Sequence, residues 1–140
     1  MKAVLDTNVL ISAVLSHQGP SWQCLAGWRA HAYELVTSSM LYAELVQVSA
    51  RPRIAARIVE PEFLENLIAD LDTDATFVEP EQRLHVVRDE ADNRVLEAAV
   101  AGAVDYIVSG DADLLTLGVY EGIEIVAPGR FAAMLVGADL

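Results

Sequence analysis

Along this chain, short apolar runs of strand length alternate with stretches whose apolar residues recur at helical spacing. Ala3–Leu5, Glu34–Thr37, Thr76–Glu79, Tyr106–Ser109 and Glu124–Val126 form the first group. In the second, Val9, Leu10, Ala13 and Val14 repeat at i, i+1, i+4 and i+5, one face of a helix. This pattern predicts helices over Asn8–Ser16 and Pro20–Ala32, the latter opened by Gly19-Pro20. It predicts further helices over Ser38–Val48, Arg53–Val59, Pro61–Leu71 and Asp92–Gly102, a helical turn at Asp111–Leu117 and a last helix from Pro128. Uninterrupted apolar strands joined by helices indicate a parallel sheet covered on both faces. Right-handed crossovers then give an α/β fold, a three-layer doubly wound sandwich on a mostly parallel sheet of roughly five strands.

Composition narrows the picture without changing it. At 140 residues, 54% hydrophobic and 21% charged, the chain reads as one ordered domain spanning residues 1–140. The single cysteine, Cys24, excludes an internal disulfide framework and reads as a small buried hydrophobe. Asp6 interrupts the first apolar run, so no secretory signal is expected. The longest later run, VLEAAVAGAV, is too short for a bilayer and carries Glu97; a cytoplasmic protein without a membrane span is the expectation. The formal net charge of −12 repels phosphate polymers, which argues against a generic nucleic-acid-binding module. Eight of the nine basic residues are arginines, and Arg51, Arg53 and Arg57 form the one basic cluster, either a solvated helix face or a phosphate contact. Trp22 and Trp28 read as core residues, with anchoring of a partner helix as the alternative.

The acids change the picture more. Asp6 follows the first strand; Asp111, with Asp113 two residues on, follows the strand YIVS. Asp92 opens the helix leading into that strand, and Glu44 lies one turn into the helix after the second strand, between Leu41 and Val48. Helix capping accounts for Asp6, Asp92 and Asp111 one at a time. It does not account for four acids at the carboxyl edge of one sheet, where open α/β folds bind ligands. Carboxylates converging without a basic partner repel, hold at least one pKa above its ordinary value, and favour a divalent cation. Oxygen-only ligands select Mg2+ or Mn2+ over zinc, and His17, His31 and His85 are too scattered for a zinc site. Hard cations on clustered carboxylates serve phosphoryl chemistry and supply the attraction that an acidic surface withholds.

Four segments, VLDTNVLIS, TSSMLYAEL, RDEADNRVLEAAVAGAVDYIVSGDADLL and IEIVAPGRF, resemble PIN-domain proteins, in the branch of VapC-type toxins of toxin–antitoxin systems. The resemblance implies a metal-dependent endoribonuclease that leaves 5′-phosphate and 3′-hydroxyl ends, with Mg2+ or Mn2+ as cofactor. The family's acids map onto Asp6, Glu44, Asp92 and Asp111, with Asp113 contributing in some members. Thr7, Asn8 and Ser109 match its supporting positions. At DEADN relatives are richer in aspartate; Asp92 is preferred as ligand, with Asp89 as substitute. Arg51, Arg53, Arg57 and Arg94 are the candidate RNA contacts. An RNA substrate, a cognate antitoxin whose arginine or lysine enters the acidic cleft, and a homodimer complete what the resemblance implies. Two alternatives stand beside it. A non-catalytic PIN fold would bind without cleaving. An aspartate-nucleophile phosphatase would need an acid where Asn8 stands and a lysine after Lys2, and the chain has neither.

Overall fold

The computed structural model describes residues 1–138. Six strands form one sheet: β1 (Lys2–Leu5), β2 (Glu34–Ser38), β3 (Thr76–Val78), β4 (Tyr106–Val108), β5 (Val119–Tyr120) and β6 (Ile123–Val126). Their order is β3-β2-β1-β4-β6-β5, parallel throughout except for the β5–β6 pair. Eight helices connect and cover them: α1 (Thr7–Leu15), α2 (Pro20–Arg29), α3 (Ser39–Ser49), α4 (Pro52–Ala55), α5 (Pro61–Asp74), α6 (Glu90–Ala101), α7 (Ala112–Leu117) and α8 (Pro128–Ala138). The sheet is thus mostly parallel and doubly wound, with one strand beyond the five expected. That strand is a two-residue antiparallel hairpin arm, turned through Glu121 and Gly122 at φ 50° and 81°. Two consecutive positive φ angles make a twist-matched hairpin turn, but Glu-Gly lacks the Asn-Gly or Asp-Gly signature that marks such turns in a sequence.

Successive strand residues point to opposite faces, and the core divides accordingly. Ala3, Leu5, Leu35, Val108 and Val126 face one apolar layer with Leu25, Trp28 and Phe131. Val4, Val36, Ile107 and Ile125 face the other, with Val95, Leu96, Ala98 and Leu114. Both faces are covered, which explains why the strands read as unbroken apolar runs. Cys24 is buried, its thiol pushed up to about 11 by burial, which makes it inert. Trp28 belongs to the core, whereas half-buried Trp22 stacks on His17 at 4.2 Å and packs against Phe63. Where α2 meets α8, a Cβ on Gly27 would stand 2.7 Å from Leu135 Cδ1; the missing side chain permits the close approach.

Four helix expectations shift; α5 runs on to Asp74, three residues past the Leu71 expected. α2 stops at Arg29, three residues early, because the chain turns through His31 at φ 62° to enter β2. The helix expected over Arg53–Val59 is only Pro52–Ala55; none of its residues is buried, and a single turn without a packed face does not propagate. α6 begins at Glu90, because Asp89 rather than Asp92 caps it by accepting from Ala91 N at 2.8 Å. Among the described residues, no helix is long and apolar enough to cross a membrane.

Candidate active site

The strand order reverses beside β1. The chain leaves β1 for β2 and β3 on one side, then crosses to β4 on the other. The carboxyl ends of β1 and β4 therefore border a switch point, the crevice where doubly wound sheets place ligands. Asp6 N donates to Val108 O at 2.9 Å, fixing the ends of the two strands side by side. Beyond them, Ser109 Oγ donates to Asp6 Oδ2 at 2.7 Å and accepts from Asp111 N at 3.0 Å. Buried Ser109 thus ties the acid after β1 to the acid after β4. Asp111 caps α7 through Oδ1, which accepts from Asp113 N at 2.9 Å and Leu114 N at 3.1 Å. Capping and clustering coincide in this residue.

Asp6 is only 5% exposed, and Asp92, on the first turn of α6, only 6%. Burial raises the Asp6 pKa; the hydrogen bonds from Ser109 and Asn8 oppose the rise, and Asp111 adds to it. Burial first, then a proton shared with Asp111 and the charges of Asp111, Asp6 and Asp89, push Asp92 up to about 7. Asp92 Oδ2 is buried and accepts from no donor. No lysine, arginine or histidine forms an ion pair with Asp6, Glu44, Asp92 or Asp111 among the described residues. Half-buried Glu44 joins through Thr7, whose Oγ1 donates to Glu44 Oε2 at 2.8 Å.

The structure thus brings Asp6, Asp92, Asp111 and Ser109 together and links Glu44 to them through Thr7. Asn8 contributes its backbone N–H, 3.5 Å from Asp6 Oδ1, and is exposed. Asp113 turns outward, gripped by Arg88 Nη2 at 3.0 and 3.1 Å. Asp89 serves as the α6 cap. Arg94 does not offer itself to a phosphate, a correction to its reading as an RNA contact. Its side chain is 8% exposed and bound to Glu97 at 2.8 Å, Glu90 at 3.4 Å and Leu84 O at 3.1 Å. Arg51, Arg53 and Arg57 are exposed beyond the C-terminal end of α3, with Arg51 about 10 Å along the helix from Glu44.

The donor set fits a hard cation in kind, being all oxygen and, among the described residues, without a cationic partner and with one orphaned buried oxygen, Asp92 Oδ2. Among the described residues, however, no three Asp, Glu, His or Cys side chains converge as a ready-made metal cage. A cavity of about 840 Å3 opens at the opposite edge of the sheet around Lys2, Glu34 and Thr76. It contains none of the clustered acids, and the amino edge of a parallel sheet is not where such folds build sites.

Sequence reasoning missed two features. Arg88 binds Asp113, and Asn93 with Glu97 anchors the segment before α6. Their only trace was polar residues at i and i+4 on an otherwise apolar helix face.

Comparison with known proteins bears on the family and the fold. A PIN domain family model matches residues 2–113, a span that holds every clustered acid. An uncharacterized protein of Methanocaldococcus jannaschii is 25% identical over 117 residues, covering 84% of this chain and 75% of that protein. In fold, the chain is similar to the crystal structure of VapBC2 from Rickettsia felis bound to a DNA fragment from its promoter. The TM-score is 0.60 at 14% identity, over 91% of this chain and 98% of the matched one.

Proposed function

The chain belongs to the PIN domain family, and from that premise we propose that it is a metal-dependent endoribonuclease acting as the toxin of a toxin–antitoxin pair. The observation that carries this reading is the set of Asp6, Asp92 and Asp111 at the switch point, the first two buried and none with a cationic partner among the described residues. Asp6, Asp92 and Asp111 would hold Mg2+ or Mn2+, with Glu44 completing the acidic rim. When bound, such an ion lowers the pKa of a water and neutralises the charge that develops as an RNA phosphodiester is attacked in line.

The chain's own groups have separable roles. Ser109 fixes the Asp6 carboxylate in one orientation, and Thr7 does the same for Glu44. Burial and the neighbouring acids make Asp92 hard to ionise near neutral pH, so cation uptake among these acids would release protons. The acidic crevice suits an arginine or lysine side chain of an antitoxin, and the similarity in fold to a chain of a VapBC complex supports a protein partner. A cytoplasmic homodimer is part of the same reading.

The test is cleavage of RNA by pure protein in Mg2+ or Mn2+, with a chelator control and the Asp6→Asn variant. Cleavage should require metal and vanish in Asp6→Asn. Equal cleavage by the variant would exclude these acids as the catalytic site. The lack of a ready-made three-ligand cage favours a second reading, a non-catalytic PIN fold that binds RNA or protein, which expects no cleavage in any metal.

A further inference from the structure

The segment before α6 is held more firmly than a loop needs. Asn93 Oδ1 accepts from Val86 N at 2.9 Å and Val87 N at 3.0 Å, and its Nδ2 donates to Val87 O at 2.8 Å. Glu97 Oε2 accepts from Leu84 N at 2.8 Å, and Arg94 Nη2 donates to Leu84 O. Asn93, Arg94 and Glu97 are all buried, so three polar side chains inside the protein pin residues 84–87. A fully buried amide devoted to loop backbone fixes that loop in one conformation.

This strap ends at Arg88 and forms one wall of an open groove of about 450 Å3. The strap contributes Val86, Val87 and Arg88 to its lining, and α7 contributes Asp113, Thr116 and Leu117. The groove adjoins the acid cluster, since Asp113 lies two residues from Asp111 and Arg88 directly precedes Asp89. Both bonds from Arg88 to Asp113 use Nη2. Nη1 and Nε make no hydrogen bond among the described residues, and the side chain is 88% exposed. The guanidinium is therefore tethered at one corner with its other donors directed to solvent. Arg94, Arg29 and Arg130 are each committed to carboxylates elsewhere.

We propose that this groove is a nucleotide subsite flanking the scissile bond, in which Arg88 engages a backbone phosphate of single-stranded RNA and Val86, Val87 and Leu117 receive the adjoining sugar and base. The proposal rests on the endoribonuclease reading above and names a site for its substrate. The open donors of Arg88 select an anionic occupant, and Val86, Val87 and Leu117 beside it offer apolar surface. Asp113 holds the guanidinium by Nη2, which leaves Nη1 and Nε for the phosphate. The buried strap organises the wall in advance, which lowers the ordering penalty of binding.

The test is equilibrium binding of a labelled single-stranded RNA oligonucleotide in chelator across a salt series, with cleavage of the same RNA in Mn2+ measured in parallel. Arg88→Ala should weaken binding about tenfold and reduce the salt slope by about 0.7, the loss of one phosphate contact. Arg88→Lys should keep the slope, and Val86→Asp should weaken binding without altering the fold. Arg29→Ala, at the opposite edge of the sheet, should bind as wild type. If wild type cleaves RNA while Arg88→Ala binds it with unchanged affinity and slope, the subsite is wrong and the nuclease reading stands. A groove that takes a protein segment instead gives this same result. If wild type neither binds nor cleaves RNA, both fall.

Discussion

Excluding water from Asp92 while leaving Oδ2 without a donor makes the ionised carboxylate unfavourable, and facing Asp111 makes it worse. Its pKa is raised to about 7 from an ordinary value near 4. The fold thus favours the protonated form. That contribution to stability is fully present below about pH 4 and is lost as pH rises through about 7. The metal-free protein should be less stable at pH 8 than at pH 5. Asp92→Asn keeps the shape and removes the charge, so it should exceed wild type at pH 8 in chelator by about 1–2 kcal/mol, allowing for solvent around exposed Asp89 and half-buried Asp111. At pH 4 the gain should vanish. Urea melts at the three pH values decide this, and a gain of the same size at all of them would contradict it. At the same scale, Ser109→Ala deprives Asp6 Oδ2 of its donor and should reduce RNA cleavage about tenfold while Asp6→Asn abolishes it; equal rates for Ser109→Ala and wild type would show that Asp6 needs no such support. Asp6, Asp92 and Asp111 were legible because each stands at a strand or helix end on one sheet edge. The outward turn of Asp113 was not, because its partner Arg88 lies 25 residues away, brought near only by the fold.

Helix α6 carries two chemistries on neighbouring faces. Asp92 looks to the acid cluster, while Asn93, Arg94 and Glu97 hold the strap of residues 84–87. From the sequence, the period of Val95, Leu96, Ala98 and Ala99 revealed the helix and its buried side. It could not reveal that the interleaved polar residues were buried too, since a polar residue on a helix is ordinarily solvated and its partners here are backbone atoms of a segment with no period. The same limit explains the missed β5, whose two residues have no alternation to read, and the overlong α4, where Pro52 starts a turn that nothing packs against. Strands β1, β2, β4 and β6 were legible because burial on both faces leaves an apolar run that little else produces. The strap supplies the test at this scale. Asn93→Ala leaves Val86 N, Val87 N and Val87 O without their partner. It should lower stability by about 2–3 kcal/mol, read from chemical denaturation, and speed amide exchange at Val86 and Val87 ahead of the β-sheet. Unchanged protection there would mean that the strap is held by something other than Asn93.

For the whole molecule, an excess of negative charge and a local knot of desolvated acids predict different responses to divalent ions. Net charge −12 is relieved by any cation, in proportion to ionic strength and regardless of which surface acid is removed. A cation held among Asp6, Asp92 and Asp111 would instead bind saturably and require each of them. A ligand at a hundred times its Kd stabilises the folded state by about 2.7 kcal/mol. For a chain of this size that corresponds to a rise in Tm of about 8 °C. At pH 8 the bound cation also removes the repulsion that raises Asp92, so the rise in Mn2+ over chelator should be larger at pH 8 than at pH 5, where protons compete for the same oxygens. Asp6→Asn changes the net charge by one, which barely alters the general response, but removes a ligand and should abolish most of the Mn2+-dependent rise. Thermal melts of both proteins in chelator, Mn2+ and monovalent salt of matched ionic strength separate the two effects. If wild type and Asp6→Asn gain equally from Mn2+, or if matched monovalent salt gives the same rise, the acids at the switch point act as surface charge and not as a metal site.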